Sequence, residues 1–208
     1  MKSYRDYFYP DTETLRNRLG IHDAVALAIA EAELSRARMR QPLQGVTLTA
    51  EGLKAIHRHL FQDVYDWAGA FRTVDMVKLR ERGQSPVTFA PGARVARVEI
   101  PRFFGELASD LAAGAFGNID PPTFAYRAAV YMADLNIIHP FPEGNGRTQR
   151  LFLEQLATRA GYRLDHTRLT AQAWLAAAID SYGQDFRVRR TLGEHRLMTT
   201  LIAQAVAR

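Results

Sequence analysis

Apolar positions along this chain of 208 residues recur mostly at helical spacing. "DAVALAIAEAELSRARM" (23–39) is rich in alanine and leucine and predicts one helix. "TAEGLKAIHRHLFQDVYDWAG" (49–69) places Leu53, Ile56, Leu60, Phe61 and Val64 on one face, with Thr49 as N-cap and Gly69 as stop. The pattern then changes. "FRTVDMVKL" (71–79) and "VTFAP" (87–91) are short and β-prone, and "RERGQSP" between them is a turn, so a small hairpin with a polar tip is expected. Helical spacing resumes at Gly92, with a boundary or kink at Pro101. Pro121 and Pro122 suit the start of a helix through "TFAYRAAVYMADLNIIH". "RTQRLFLEQLATRAG", "AQAWLAAAIDSYG" and "GEHRLMTTLIAQAVA" predict three more helices. Ahead of all of them "YPDTETLRNRLG" (9–20) reads as an ordered arm. The class is mainly α, with one hairpin and no internal repeat.

Composition narrows this picture only slightly. There are no cysteines, which excludes a disulfide framework, a zinc–thiolate site and a thiol nucleophile. No apolar run is long enough to span a membrane, and the first residues lack the apolar core of a secretory signal. A cytoplasmic protein is expected, with export by a dedicated secretion system left open. The net charge of +5 invites an anionic partner. The basic residues are scattered, however, and no basic stripe with stacking aromatics appears, so a helical nucleic-acid-binding regulator is the weaker reading.

The chemistry concentrates in "HPFPEGNGRTQR" (139–150). His139 ends an apolar helix, Pro140 and Pro142 keep that helix from continuing, and Arg147 opens the next. A helix start offers unpaired N–H groups and the positive end of the dipole. Gly144 and Gly146 around Asn145 let a ligand approach the backbone, which makes a candidate phosphate nest. Arg147 and Arg150 are three apart and can both reach phosphate oxygens. Glu143 beside a phosphate site points to Mg²⁺, and His139 can take a proton near neutral pH. The set describes phosphoryl or nucleotidyl transfer. It is not a Walker A loop, and the two prolines rule out a helical His139–Glu143 zinc pair. His57 and His59, two apart on a helix, point different ways, and at least one is expected to be structural.

His139-Pro140-Phe141-Pro142-Glu143-Gly144-Asn145-Gly146-Arg147, with Arg150, resembles the signature H-x-F-x-[D/E]-G-N-G-R-x-x-R of Fic-domain proteins. "LFQDVYDWAGAFRTVDMVK" (60–78) is similar to that family's helix and following flap, and "YPDTETLRNRLGI" resembles its AMP-transferring toxins of the VbhT and FicT kind. The resemblance implies a Fic-type helical bundle with a hairpin flap, one domain over 1–208. Within it lie an arm over 1–20, the flap over 71–91, the catalytic loop and helix start over 139–150, and C-terminal helices over 162–208. It implies AMP transfer from ATP to a protein hydroxyl. By resemblance His139 is the base and Phe141 the inward anchor. Glu143 holds Mg²⁺, Gly144, Asn145 and Gly146 form the anion hole, and Arg147 and Arg150 hold outer phosphates. The flap at Met76, Val77 and Lys78 aligns the target by strand addition.

Many members of that family carry an inhibitory helix with the pattern [S/T]-x-x-x-E-[G/N]. "TLTAEG" (Thr47 to Gly52) matches its letters, but it lies at the start of the helix leading to the flap and reads as a helix cap. No other segment matches. The expected inhibitor is therefore a small helical antitoxin acting in trans. The expected target is a bacterial type II topoisomerase subunit, with a secreted effector acting on host GTPases as the alternative. The adenine site is sought near "AIDSYGQ".

Overall fold

The computed structural model describes residues 3–43, 45–78, 87–181 and 195–207, and it is mainly helical. α1 (Ala24–Met39) begins where the Asp23 side chain accepts the Ala26 N–H. α2 (Ala50–Phe61) begins where Thr49 accepts that of Gly52, so "TLTAEG" caps a helix as expected. The apolar face of α2 is buried throughout.

α2 ends at Phe61, well before Gly69. The N-terminal arm supplies the reason. Arg18 donates its backbone N–H to Val64 O and its guanidinium to Gln62 O, which are carbonyls a longer helix would need. The chain turns instead, and Gly69, at φ +82°, closes the run. Val64 stays buried.

The hairpin forms where expected. β1 (Val77–Lys78) pairs antiparallel with β2 (Val87–Thr88), Val77 facing Thr88 and Lys78 facing Val87. The polar tip predicted between them lies outside the described residues. After β2 come one helical turn, α3 (Gly92–Arg94), a wider π-type turn (Val95–Glu99), and α4 (Ile100–Ala112), with Pro101 in its first turn. The Ile100 N–H still reaches back to Val95 O, so the helical run continues through the wider turn, and Pro101, which has no N–H to place, comes directly after it.

α5 (Pro121–Ile138) is the axis of the core. It opens on both prolines behind the cap Asp120, and it is buried on most of its circumference. α4, α6 (Asn145–Arg159) and α8 (Arg196–Ala205) pack against it, and α2 packs on α6. α7 (Ala171–Asp180), capped by Thr170, lies against α8 and α6. A second antiparallel pair, β3 (Arg163–Leu164) with β4 (Val206–Ala207), was not expected. Two-residue strands are too short to show an alternating pattern. Among the described residues no helix is long and apolar enough to cross a membrane.

Candidate active site

α5 ends at Ile138, and His139 adopts left-handed backbone angles, φ 47° and ψ 63°. Few non-glycine residues do so, and such a conformation persists only when its surroundings impose it. The imposing group is Arg72, which has no exposed surface. Its guanidinium donates to His139 O at 2.7 Å, Ile138 O at 2.9 Å, Val74 O at 2.7 Å and Ala90 O at 2.6 Å. Its backbone N–H donates to Pro140 O at 2.8 Å. One side chain thus ties both stems of the hairpin to the end of α5. The His139 ring stacks on Phe89, next to β2, at 3.8 Å between centroids.

The loop after His139 is pinned from three sides. Phe141 is fully buried and stacks on His57 at 3.9 Å. The Asn145 amide closes the loop on Phe141, donating to its O at 2.7 Å and accepting its N–H at 3.0 Å. His57 accepts the Gly69 N–H on Nδ1 at 2.8 Å. Its proton is therefore on Nε2, which donates to Glu143 O at 3.0 Å. Burial pushes the His57 pKa down to about 3. His59 bonds Arg38 O through Nε2, so both histidines of α2 hold backbone. From the arm, Tyr4 OH donates to Pro142 O at 3.1 Å. Burial, and then the nearby Glu143, raise the Tyr4 pKa, so it remains a donor.

α6 starts two residues earlier than Arg147, because Gly144 turns the chain at φ +79°. A Cβ at Gly144 would lie 2.3 Å from the Phe61 ring, so conformation and space both demand glycine. The first bond of the helix ladder is Thr148 N–H to Gly144 O. The N–H groups of Asn145 and Gly146 come before it, at the positive end of α6. The Glu143 carboxylate accepts the Gly144 N–H at 2.9 Å.

A cavity of about 610 Å³ opens at this helix start. His139, Glu143, Gly144, Gly146, Arg147 and Arg150 all line it, so the structure gathers these six predicted residues around one space. Asn145 and Phe141 are not among its lining residues: the amide of one closes the loop and the ring of the other sits in the core. Trp174 and Ala178 of α7 line it as well, on the helix where the adenine site was sought; residues 182–184 of that stretch lie outside the described residues. Of the flap residues, Met76 is buried and Val77 is half exposed. With Lys78, Val77 forms a strand with a single neighbour among the described residues, so its other edge is unpaired among them. Among the described residues no group of three metal-ligating side chains occurs.

The two arginines differ. Arg150 is part-buried, donates to Leu169 O at 3.0 Å and has no carboxylate partner among the described residues. Burial, and then the like charge of Arg147, lower its pKa. Arg147 donates to the Glu31 carboxylate and, at 2.8 Å, to Ser35 Oγ, and its guanidinium lies 4.8 Å from the Phe61 ring centre. Glu31 also accepts the Tyr65 hydroxyl. Sequence reasoning missed Glu31 and Ser35. Their signal was a glutamate and a serine one turn apart inside an alanine-rich stretch.

A helical core that presents a helix start, two arginines, a carboxylate and a histidine to one cavity defines an enzyme class that works on phosphates. The Fic/DOC family profile matches residues 47–157, and the chain belongs to that family. The chain is 39% identical over 85% of its length to the probable protein adenylyltransferase y4lH of Sinorhizobium fredii, spanning 88% of it. It is 36% identical over 82% of its length to the probable protein adenylyltransferase Fic of Salmonella typhimurium, spanning 81% of that protein. It is 37% identical to the protein adenylyltransferase VbhT of Bartonella schoenbuchensis but spans only 35% of it. Among solved structures, the BepC protein of Bartonella tribocorum, a VirB-translocated effector with bound AMPPNP, superposes with a TM-score of 0.81 at 25% identity, covering 98% of this chain and 97% of BepC. The chain is an enzyme of the protein adenylyltransferase class.

Two outcomes follow from the loop geometry. Gly144→Ala combines a left-handed alanine, about 1–2 kcal/mol, with overpacking against Phe61, about 1–3 kcal/mol. Thermal unfolding should show a clear loss, and Phe61→Leu in the same chain should restore part of it. His57 is folded in neutral form with a depressed pKa, so below about pH 6.5 the unfolded state gains a proton that the folded state refuses. Stability should fall as pH drops from about 6.5 towards 3, by at most about 1.4 kcal/mol per pH unit from this group. Denaturant titrations at several pH values should show a shallower slope for His57→Gln.

Proposed function

We infer that this chain transfers AMP from ATP to a side-chain hydroxyl of a target protein, as one Fic unit over 1–208. The observation that carries this reading is the convergence of Gly144, Gly146, Arg147, Arg150, Glu143 and His139 on one cavity. The backbone N–H groups at the α6 start and Arg150 bind the phosphate chain, and Arg147 adds a second cationic contact. His139, held at the rim with its ring on Phe89, takes the proton from the target hydroxyl. The hydroxyl oxygen forms a bond to the α-phosphorus, the bond to the bridging oxygen breaks, and pyrophosphate leaves. A single carboxylate in a phosphate cavity fits Mg²⁺, which takes few protein ligands and completes its shell with phosphates and water; Glu143 would hold it. When bound, the ion neutralises phosphate charge.

The target aligns on the unpaired edge of β1 by strand addition. In this role Met76 anchors the strand inward, while the backbone of Val77 and Lys78 offers hydrogen bonds. The proposed target is a bacterial protein in the cytoplasm, and a type II topoisomerase subunit is the candidate to test. Regulation comes in trans: an antitoxin helix places a glutamate on Arg150, in competition with a phosphate oxygen. Arg150, which has no carboxylate partner among the described residues, supports this, and so does Glu51 of "TLTAEG", which is exposed, pairs with Lys54 and does not line the cavity. The likeness to VirB-translocated effectors favours one alternative, a secreted protein acting on host GTPases.

Label from α-labelled ATP, and not from γ-labelled ATP, should remain on the target. His139→Ala should abolish that transfer while ATP binding stays nearly intact by calorimetry, because the base acts on the attacking hydroxyl. A nucleic-acid-binding protein would behave differently, with salt-steep affinity for DNA or RNA that His139→Ala leaves unchanged. Glu51→Gly should not raise the transfer rate of the purified chain, and a large activation would place the inhibitor within it.

A further inference from the structure

Arg147 does not meet the cavity as a lone cation. Two side chains one turn apart on α1 hold it, Glu31 through Nη2 and Ser35 through Nη1. The Phe61 ring faces the guanidinium. Glu31 is itself buried, and its second oxygen accepts the Tyr65 hydroxyl, whose pKa is raised first by burial and then by the charge of Glu31. The carboxylate is thus fixed on both oxygens, one by a phenol and one by a guanidinium.

An arginine has five N–H donors in a rigid fork. Glu31 and Ser35 together use two, and Arg147 also borders the cavity, so donors remain for a ligand there. A carboxylate held by a second group is a poor mobile competitor for phosphate and a good template for a guanidinium. It also balances the charge of Arg147, while Arg150 and Arg36 line the same cavity.

We propose that Glu31 is a positioning residue for adenylyl transfer: it fixes the Arg147 guanidinium so that the donors left over meet the phosphate chain in the reactive geometry. This rests on the AMP-transfer reading above. Its energetic signature is specific. Removing the negative charge while keeping the shape should cost little ground-state affinity, since one anion fewer faces the phosphates. It should cost rate, since the fork loses its orientation.

The test is a double-mutant cycle on the purified chain, with α-labelled ATP and a modified acceptor protein, or self-modification, as readout. Glu31→Gln should lower kcat about tenfold or more while the calorimetric affinity for AMPPNP weakens less than about threefold. In an Arg147→Ala background the same substitution should lower kcat no further, because Glu31 acts through Arg147. Glu31→Asp keeps the charge but shortens the reach, and it should also lower kcat. A kcat for Glu31→Gln equal to or above that of the unaltered chain overturns the proposal and makes Glu31 a competitor of phosphate. An equal loss in both backgrounds overturns it too, as does wild-type kcat in Glu31→Asp. If the unaltered chain keeps label only from γ-labelled ATP, the AMP reading itself fails; the cycle, read on AMPPNP affinity, then still reports whether the two residues are coupled.

Discussion

A guanidinium with no exposed atom determines where the histidine of the site stands. Arg72 cannot shed its proton, so its charge must be balanced inside the protein. Four backbone carbonyls do much of that, from Val74, Ala90, Ile138 and His139. Each of those oxygens would otherwise be buried without this donor. The charge needs the four carbonyls, and the carbonyls fix three segments relative to one another. The left-handed turn at His139 is one result, and the placing of the hairpin stems against α5 is another. The stacking of His139 on Phe89 then follows, because Phe89 sits between the β2 strand and the Ala90 carbonyl that Arg72 grips.

A second layer of constraint supports the first. His57 reads like a catalytic residue by type, yet both ring nitrogens are engaged by backbone groups, Gly69 N–H on one side and Glu143 O on the other. Asn145 likewise gives its whole amide to Phe141. These two polar side chains make the loop stiff, and stiffness is what a preorganised anion site needs. The glycines serve the complementary purpose. Gly144 gives the left-handed turn that lets α6 begin with its N–H groups facing the cavity.

The fold was legible in the sequence where long periodic segments met clear caps. Asp23, Thr49, Asp120 and Thr170 all cap the helices that follow them. The end of α2 was not legible, because it depends on Arg18, more than forty residues away, taking the Gln62 carbonyl. The strands β3 and β4 were invisible because each is two residues long. The residues that line the cavity from 139 to 150 were legible as a group because they are continuous in sequence. Its helpers were not: Glu31, Tyr65 and Arg72 reach it only through tertiary packing, and nothing local distinguishes Arg72 from a solvated arginine. What the Asn145 side chain does was not legible either, since the spacing of glycines cannot tell that the amide between them turns back onto Phe141.

The bond from Tyr4 OH to Pro142 O joins positions 138 apart in the chain. During synthesis the aromatic arm emerges well before its acceptor, which follows 138 positions later. α5 and the strand β3 similarly wait for α8 and β4. Contacts of this separation form late, after loop closure has already been opposed by entropy. The loop at Pro142 is therefore expected to be among the last of the described parts of the molecule to become ordered. Until the arm folds back, the loop lacks its clasp at Pro142, so folding of the arm and order in the loop are one event.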